Sequence, residues 1–98
     1  MEIIKSINNN ELTLKVIGEL NTATCQKLEE EINKSISGIK KLIFDFSELS
    51  YISSAGLRVL LVSKKTMDKK GKMIVKGANK GVMDIFEITG FSNVLDFE

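Results

Sequence analysis

The stretch Lys41–Met67, KLIFDFSELSYISSAGLRVLLVSKKTM, decides how the chain is read. Leu42, Ile43, Phe44 and Phe46 make a short, nearly continuous apolar run, the pattern of a strand buried on both faces of a sheet. Asp45 to Ser53 carries small polar residues and no apolar period, so it reads as the loop leaving that strand. Leu57, Val59, Leu60, Leu61, Val62 and Met67 then recur at helical spacings. The helix is expected to start at Ser53 or Ser54, where a serine hydroxyl can accept one of the first backbone N–H groups, which have no partner inside the helix.

Gly56 conflicts with that helix, because glycine in a helical turn costs up to about 1 kcal/mol relative to alanine. Its presence points to a steric requirement beside the serines. Two readings of the serine pair follow. One is a plain N-cap with an incidental glycine. The other is a hydroxyl that receives or binds phosphate, since a helix N-terminus offers free N–H donors and about half a positive charge to an anion. Local physics permits both.

Working outward, Gly71 is expected to close the serine helix at about Lys70, and Met73, Ile74 and Val75 within Lys72–Lys76 form a strand parallel to that of Leu42. Strand, helix and parallel strand make a right-handed crossover, with sites expected beyond the carboxyl ends of the strands, where the serines lie. Asn79 caps a short helix that buries Val82, Ile85 and Phe86 and ends at Gly90; Phe91, Val94, Leu95 and Phe97 supply a last apolar piece, read as a short strand. Toward the N-terminus, Ile3, Ile4 and Ile7 form a strand that reverses at Asn8–Asn10. It pairs with a second strand in which Leu12, Leu14 and Val16 alternate with Thr13, Lys15 and Ile17 and which Gly18 ends. A loop from Glu19 leads to a helix from Thr22 or Ala23 to Ser37, with Cys25, Leu28, Ile32 and Ile36 on one face, Gln26, Lys27, Glu29, Glu30 and Lys34 turned outward, and Gly38 at its end.

Composition narrows the chemistry. Ninety-eight residues, 43% hydrophobic and 28% charged, suit one domain with one core. Histidine is absent, which removes the commonest general base and metal ligand. The single cysteine, Cys25, is expected to act as a small hydrophobe. No apolar run is long enough to span a bilayer, and Glu2, Lys5 and Asn8–Asn10 interrupt any signal-peptide core, so a cytoplasmic location without membrane contact is expected. A net charge of +1 makes no case for nucleic acid as a direct partner. Lys64, Lys65, Lys69 and Lys70 complement the negative end of the serine helix and have no interleaved aromatics for stacking on bases. A phosphate cradle built on the SSAG turn lacks the GK[ST] ending of nucleotide loops.

The wording DFSELSYISSAGLRVLL over Asp45–Leu61 resembles the signature of the STAS family, the domain of anti-sigma-factor antagonists and of the cytoplasmic tails of sulphate transporters. Gly18–Thr24, GELNTAT, resembles that family's G-E-L-D stretch, in the family's order and at about its usual separation. The resemblance, closest to the antagonist branch, covers nearly the whole chain. It implies a non-enzymatic switch that needs no cofactor of its own. A serine kinase that is also an anti-sigma factor, with its own ATP site, would bind the unphosphorylated domain and phosphorylate Ser54; a phosphatase would remove the phosphate. Ser53, where many members carry aspartate, is a second candidate acceptor. The matching partner-binding positions are Asn21, where the family has aspartate, Thr22, Ser53, Ala55, Gly56, Leu57 and Arg58. Arg58, one turn beyond Ser54, can reach a phosphate there or a partner's acidic group, or be a plain exposed arginine. A scaffold subunit, for which Ser54 is only a helix cap, is the rival.

The expected fold is a mixed α/β domain over residues 1–98, in the order β-β-α-β-α-β-α-β. Four or five strands carry helices mainly on one face, without the last C-terminal helix usual in the family.

Overall fold

Strands β1 (Glu2–Asn8) and β2 (Glu11–Leu20) form an antiparallel hairpin in the computed structural model, which describes residues 1–98. The reversal uses Asn9 at φ 58°, a left-handed conformation that asparagine tolerates better than most residues. There follow α1 (Cys25–Ser35), β3 (Lys41–Asp45), β4 (Leu49–Ile52), α2 (Ser54–Asp68), β5 (Lys72–Lys76), α3 (Lys80–Thr89), a 3₁₀ turn (Phe91–Asn93) and the two-residue β6 (Asp96–Phe97). The sheet runs β1-β2-β3-β5-β6, antiparallel at β1 and parallel elsewhere, and β4 adds to the far end of β2.

Each parallel step, β2 to β3 to β5 to β6, moves the same way across the sheet. Right-handed crossovers then place all three helices on one face, as expected. Alternate strand residues such as Leu12, Leu14, Phe44 and Val75 join Leu28 and Ile32 of α1, Leu57, Leu60 and Met67 of α2, and Val82 and Phe86 of α3 in one cluster of 21 buried residues. Ile43 and Ile74 are buried but lie outside that cluster, side by side on the opposite face. No helix is long and apolar enough to cross a membrane.

Several sequence expectations are corrected. Asp45–Ser53 is not all loop: Leu49–Ile52 forms β4, giving six strands. Gly18 does not end β2. At φ 102° it sits at an irregularity where β2 leaves β3 and continues through Glu19 and Leu20 alongside β4. Helix α1 begins at Cys25 rather than Thr22 or Ala23, because the Asn21 carboxamide oxygen accepts the N–H groups of Ala23 and Thr24 (3.0 and 3.1 Å) and holds a turn there. It ends at Ser35, two residues short of the expected Ser37. Cys25, half-buried, does pack against the core on the expected face of α1. Gly71 does close the end of α2, its N–H donating to the Met67 carbonyl (2.7 Å), but the reason for a glycine is close backbone approach, since a Cβ there would lie 1.9 Å from the Lys40 carbonyl oxygen. Lys70 donates to the Ile36 carbonyl (2.7 Å), a cation closing the C-terminal end of α1 rather than serving its own helix alone.

Candidate functional site

Leu20 and Ile52 are neighbours on the parallel strands β2 and β4, so the turn that follows each strand emerges at the same edge. The Ser53 N–H donates to the Leu20 carbonyl (2.9 Å), locking the two exits together. The sheet itself therefore brings Asn21 and Thr22 beside Ser53 and Ser54, although about thirty residues separate them in sequence.

Ser53 is the N-cap of α2: its backbone is extended (φ −95°, ψ 175°) and its hydroxyl accepts the Gly56 N–H at 3.4 Å. Ser54 is the first helical residue and is exposed. Ser50, Ser53 and Ser63 spend their hydroxyls on the chain's own backbone, whereas that of Ser54 has no partner within it. The cap and the free hydroxyl are thus two different residues.

Gly56 is buried, and a Cβ on it would fall 2.8 Å from both Ile52 Cγ1 and Leu20 Cγ. The first turn of α2 rests directly on the ends of β2 and β4, and this contact is the steric requirement that the sequence signalled. Leu57 is 6% exposed and belongs to the core. Gly56 and Leu57 accordingly seat the helix on the sheet. Ala55 is half-buried, and Arg58 is exposed and makes none of the chain's ion pairs. Thr22 is exposed, while Asn21, half-buried, turns its oxygen onto the N–H groups of its own turn. An asparagine oxygen fills that role without a carboxylate's charge.

Below this edge, the Asp45 carboxyl is held under the usual carboxylate range. Burial pushes it up, but hydrogen bonds from Ser47, including its N–H at 3.0 Å, and the charges of Lys76 and Lys15 outweigh burial. No group of three or more His, Cys, Asp or Glu side chains is placed to hold a metal ion.

Two features escaped the sequence reading. Tyr51, 46% exposed on β4 one residue before Ile52, puts an aromatic ring at the same edge; its only signal was an aromatic among polar loop residues. A trough of about 740 Å³ also runs between α1 and α2, with Ser54, Ala55 and Arg58 among its lining residues.

With this geometry in view, the chain belongs to the STAS domain family, which matches residues 2–98. It is 37% identical over 79 residues to BtrV of Bordetella bronchiseptica, taken to be an anti-sigma factor antagonist; the match covers 79% of this chain and 68% of that one. An anti-sigma factor antagonist from Mycobacterium paratuberculosis superposes with a TM-score of 0.88 at 18% identity, over 98% of this chain and 83% of that one. The Bacillus cell fate determinant SpoIIAA, solved in its phosphorylated form, superposes with a TM-score of 0.78 at 16% identity, over 99% and 91%.

Proposed function

We propose that this protein is an anti-sigma factor antagonist, a single regulatory domain in the cytoplasm rather than an enzyme, switched by phosphorylation of Ser54. Unphosphorylated, it binds a serine kinase that is also an anti-sigma factor and so releases that partner's target. The kinase brings its own ATP, and a separate phosphatase restores the hydroxyl.

One observation carries this reading: at the start of α2 the capping task belongs to Ser53, which leaves the Ser54 hydroxyl exposed and unengaged. Phosphate on the first helical residue adds roughly −1.5 to −2 charges close to free N–H donors, so the fold tolerates it. A partner surface fitted to the neutral edge of Thr22, Ser54 and Ala55 does not, because an unpaired charge desolvated at an interface costs several kcal/mol and about 1.4 kcal/mol is tenfold in affinity. BtrV, similar over most of the chain, supports the antagonist class.

The test mixes purified protein with its own cell's serine kinase and ATP, then maps the modified peptide. One phosphate on Ser54, absent in Ser54→Ala, is expected. Binding to that kinase should survive Ser54→Ala and weaken at least about tenfold in Ser54→Asp. No phosphate on Ser54, or equal affinity of the two variants, would sink the switch.

A further inference from the structure

The trough between α1 and α2 is built from two matched rows. Along α1 and its C-cap, Cys25, Glu29, Ile32 and Ile36 follow one another at steps of four, three and four residues; on α2, Ala55, Val59, Val62 and Thr66 do the same. Steps of this kind keep a row on one side of a helix and are the seam spacing of helices that pack along their length. Each row runs over twelve residues, and its eleven steps of 1.5 Å make about 16 Å, or three turns. Ile32 and Val59 are buried in the floor, while Val62 is 56% exposed on the rim.

Charge distinguishes the possible occupants. Glu29 stands on one wall and Arg58 on the other, both exposed, and neither takes part in an ion pair. An acyl chain leaves both charges without a counterpart. A second copy of this chain offers no exposed apolar helix row to insert, since the large exposed apolar residues on its helices are Val62, in the trough itself, and the lone Ile88 of α3. An amphipathic helix, apolar along one stripe, basic on the flank facing α1 and acidic on the flank facing α2, meets the floor and both walls together.

We infer that this trough is the docking groove for a three-turn amphipathic helix of the kinase partner, and that the helix passes Ser54 and Arg58 at one end. The inference rests on the proposed function for the identity of the partner, and it names the structural element that partner inserts. Because Ser54 lines the same trough, a phosphate there meets the acidic flank of the incoming helix, so the groove and the modification act on one contact.

Cys25, the only cysteine, lines the groove and gives a reporter in the natural chain. The experiment measures the alkylation rate of Cys25 by a maleimide with and without the purified kinase, and the kinase affinity of Val62→Glu and Ser54→Asp. Val62 is exposed enough for the substitution to leave the fold intact, which circular dichroism verifies. Protection of Cys25 by at least about tenfold, with an affinity loss in Val62→Glu of about thirtyfold or more, is expected. A benzophenone side chain at position 62 should cross-link to a helical segment of the kinase with an apolar, acid-flanked stripe. If Ser54→Asp abolishes binding while Val62→Glu binds normally and Cys25 stays reactive, the groove is overturned and the switch stands. If Val62→Glu loses binding and Ser54→Asp does not, the groove stands and the switch falls. Cross-links to a loop, a concentration-dependent dimer broken by Val62→Glu, or a fatty acid retained through purification would each overturn the helix as occupant.

Discussion

Helices α2 and α3 both open with a side chain accepting the N–H three residues on: Ser53 at 3.4 Å from the Gly56 nitrogen and Asn79 at 2.9 Å from that of Val82. Their surroundings differ. Asn79 also donates to the Leu49 carbonyl (3.0 Å), so one side chain both caps α3 and ties it to β4. In α2 the labour is divided: backbone ties Ser53 to Leu20, Gly56 packs on Leu20 and Ile52, and the hydroxyl of Ser54 is left over. The difference teaches where to look for recognition: at the helix start that keeps an exposed polar group its own stability does not use.

The sharpest way to break this comparison is at the glycines. Gly56→Val should destabilise the fold by about 3 kcal/mol through overpacking against Leu20 and Ile52. Gly81→Ala in the first turn of α3, where the nearest atom to a new Cβ is Asn79 Oδ1 at 3.4 Å, should stabilise it by about 0.5 kcal/mol. Urea unfolding of both variants measures the contrast, and similar effects would erase it. Next in size, Asn79→Ala removes a cap and a tie to β4 together and should cost about 2 kcal/mol. Ser53→Ala, which loses one long hydrogen bond, should cost about 0.5–1 kcal/mol, and Ser54→Ala should stay within about 0.5 kcal/mol of the parent. A Ser54→Ala penalty matching that of Ser53→Ala would give the hydroxyl a structural task after all.

The smallest effect sharpens the comparison from below. Asp45 has a folded pKa lowered beneath its ordinary value, mainly by its bonds to Ser47, at the turn leading into β4. A lowered carboxylate contributes stability that is complete above its unfolded pKa of about 3.9 and is lost as pH falls through the folded value. Unfolding midpoints should therefore decline on acidification below about pH 4, and Asp45→Asn should flatten part of that decline. An unchanged slope in Asp45→Asn would show that this carboxylate adds nothing to the turn.

Much of the molecule was legible in advance because its signals are local. The apolar run Leu42–Phe44, the helical spacing from Leu57 to Met67, and the caps at Ser53 and Asn79 each rest on a few adjacent residues, and each has its expected counterpart in the structure. What escaped depends on distant partners. Strand β4 is four residues long with alternate burial lost, since Ser50 and Tyr51 are both exposed, and only pairing with the far end of β2 makes it a strand. Gly18 reads as the end of a strand because glycine near a pattern's edge looks like a stop, and Gly71 does follow the end of α2. The irregularity in β2 at Gly18 and the close pass of Gly71 by Lys40 involve neighbours that no window of sequence contains.

The residues alone determined that a serine pair opens an amphipathic helix behind a buried parallel strand, because capping chemistry and hydrophobic period are properties of short segments. Tertiary structure decided which serine is free, by giving the Gly56 N–H to Ser53, and set Thr22 beside it by running β2 and β4 in parallel. It also laid α1 against α2, so that two rows unremarkable in either helix became the walls of one trough. Hydrogen-bond assignment and packing between distant segments depend on where the backbone goes, and only the folded sheet supplies that.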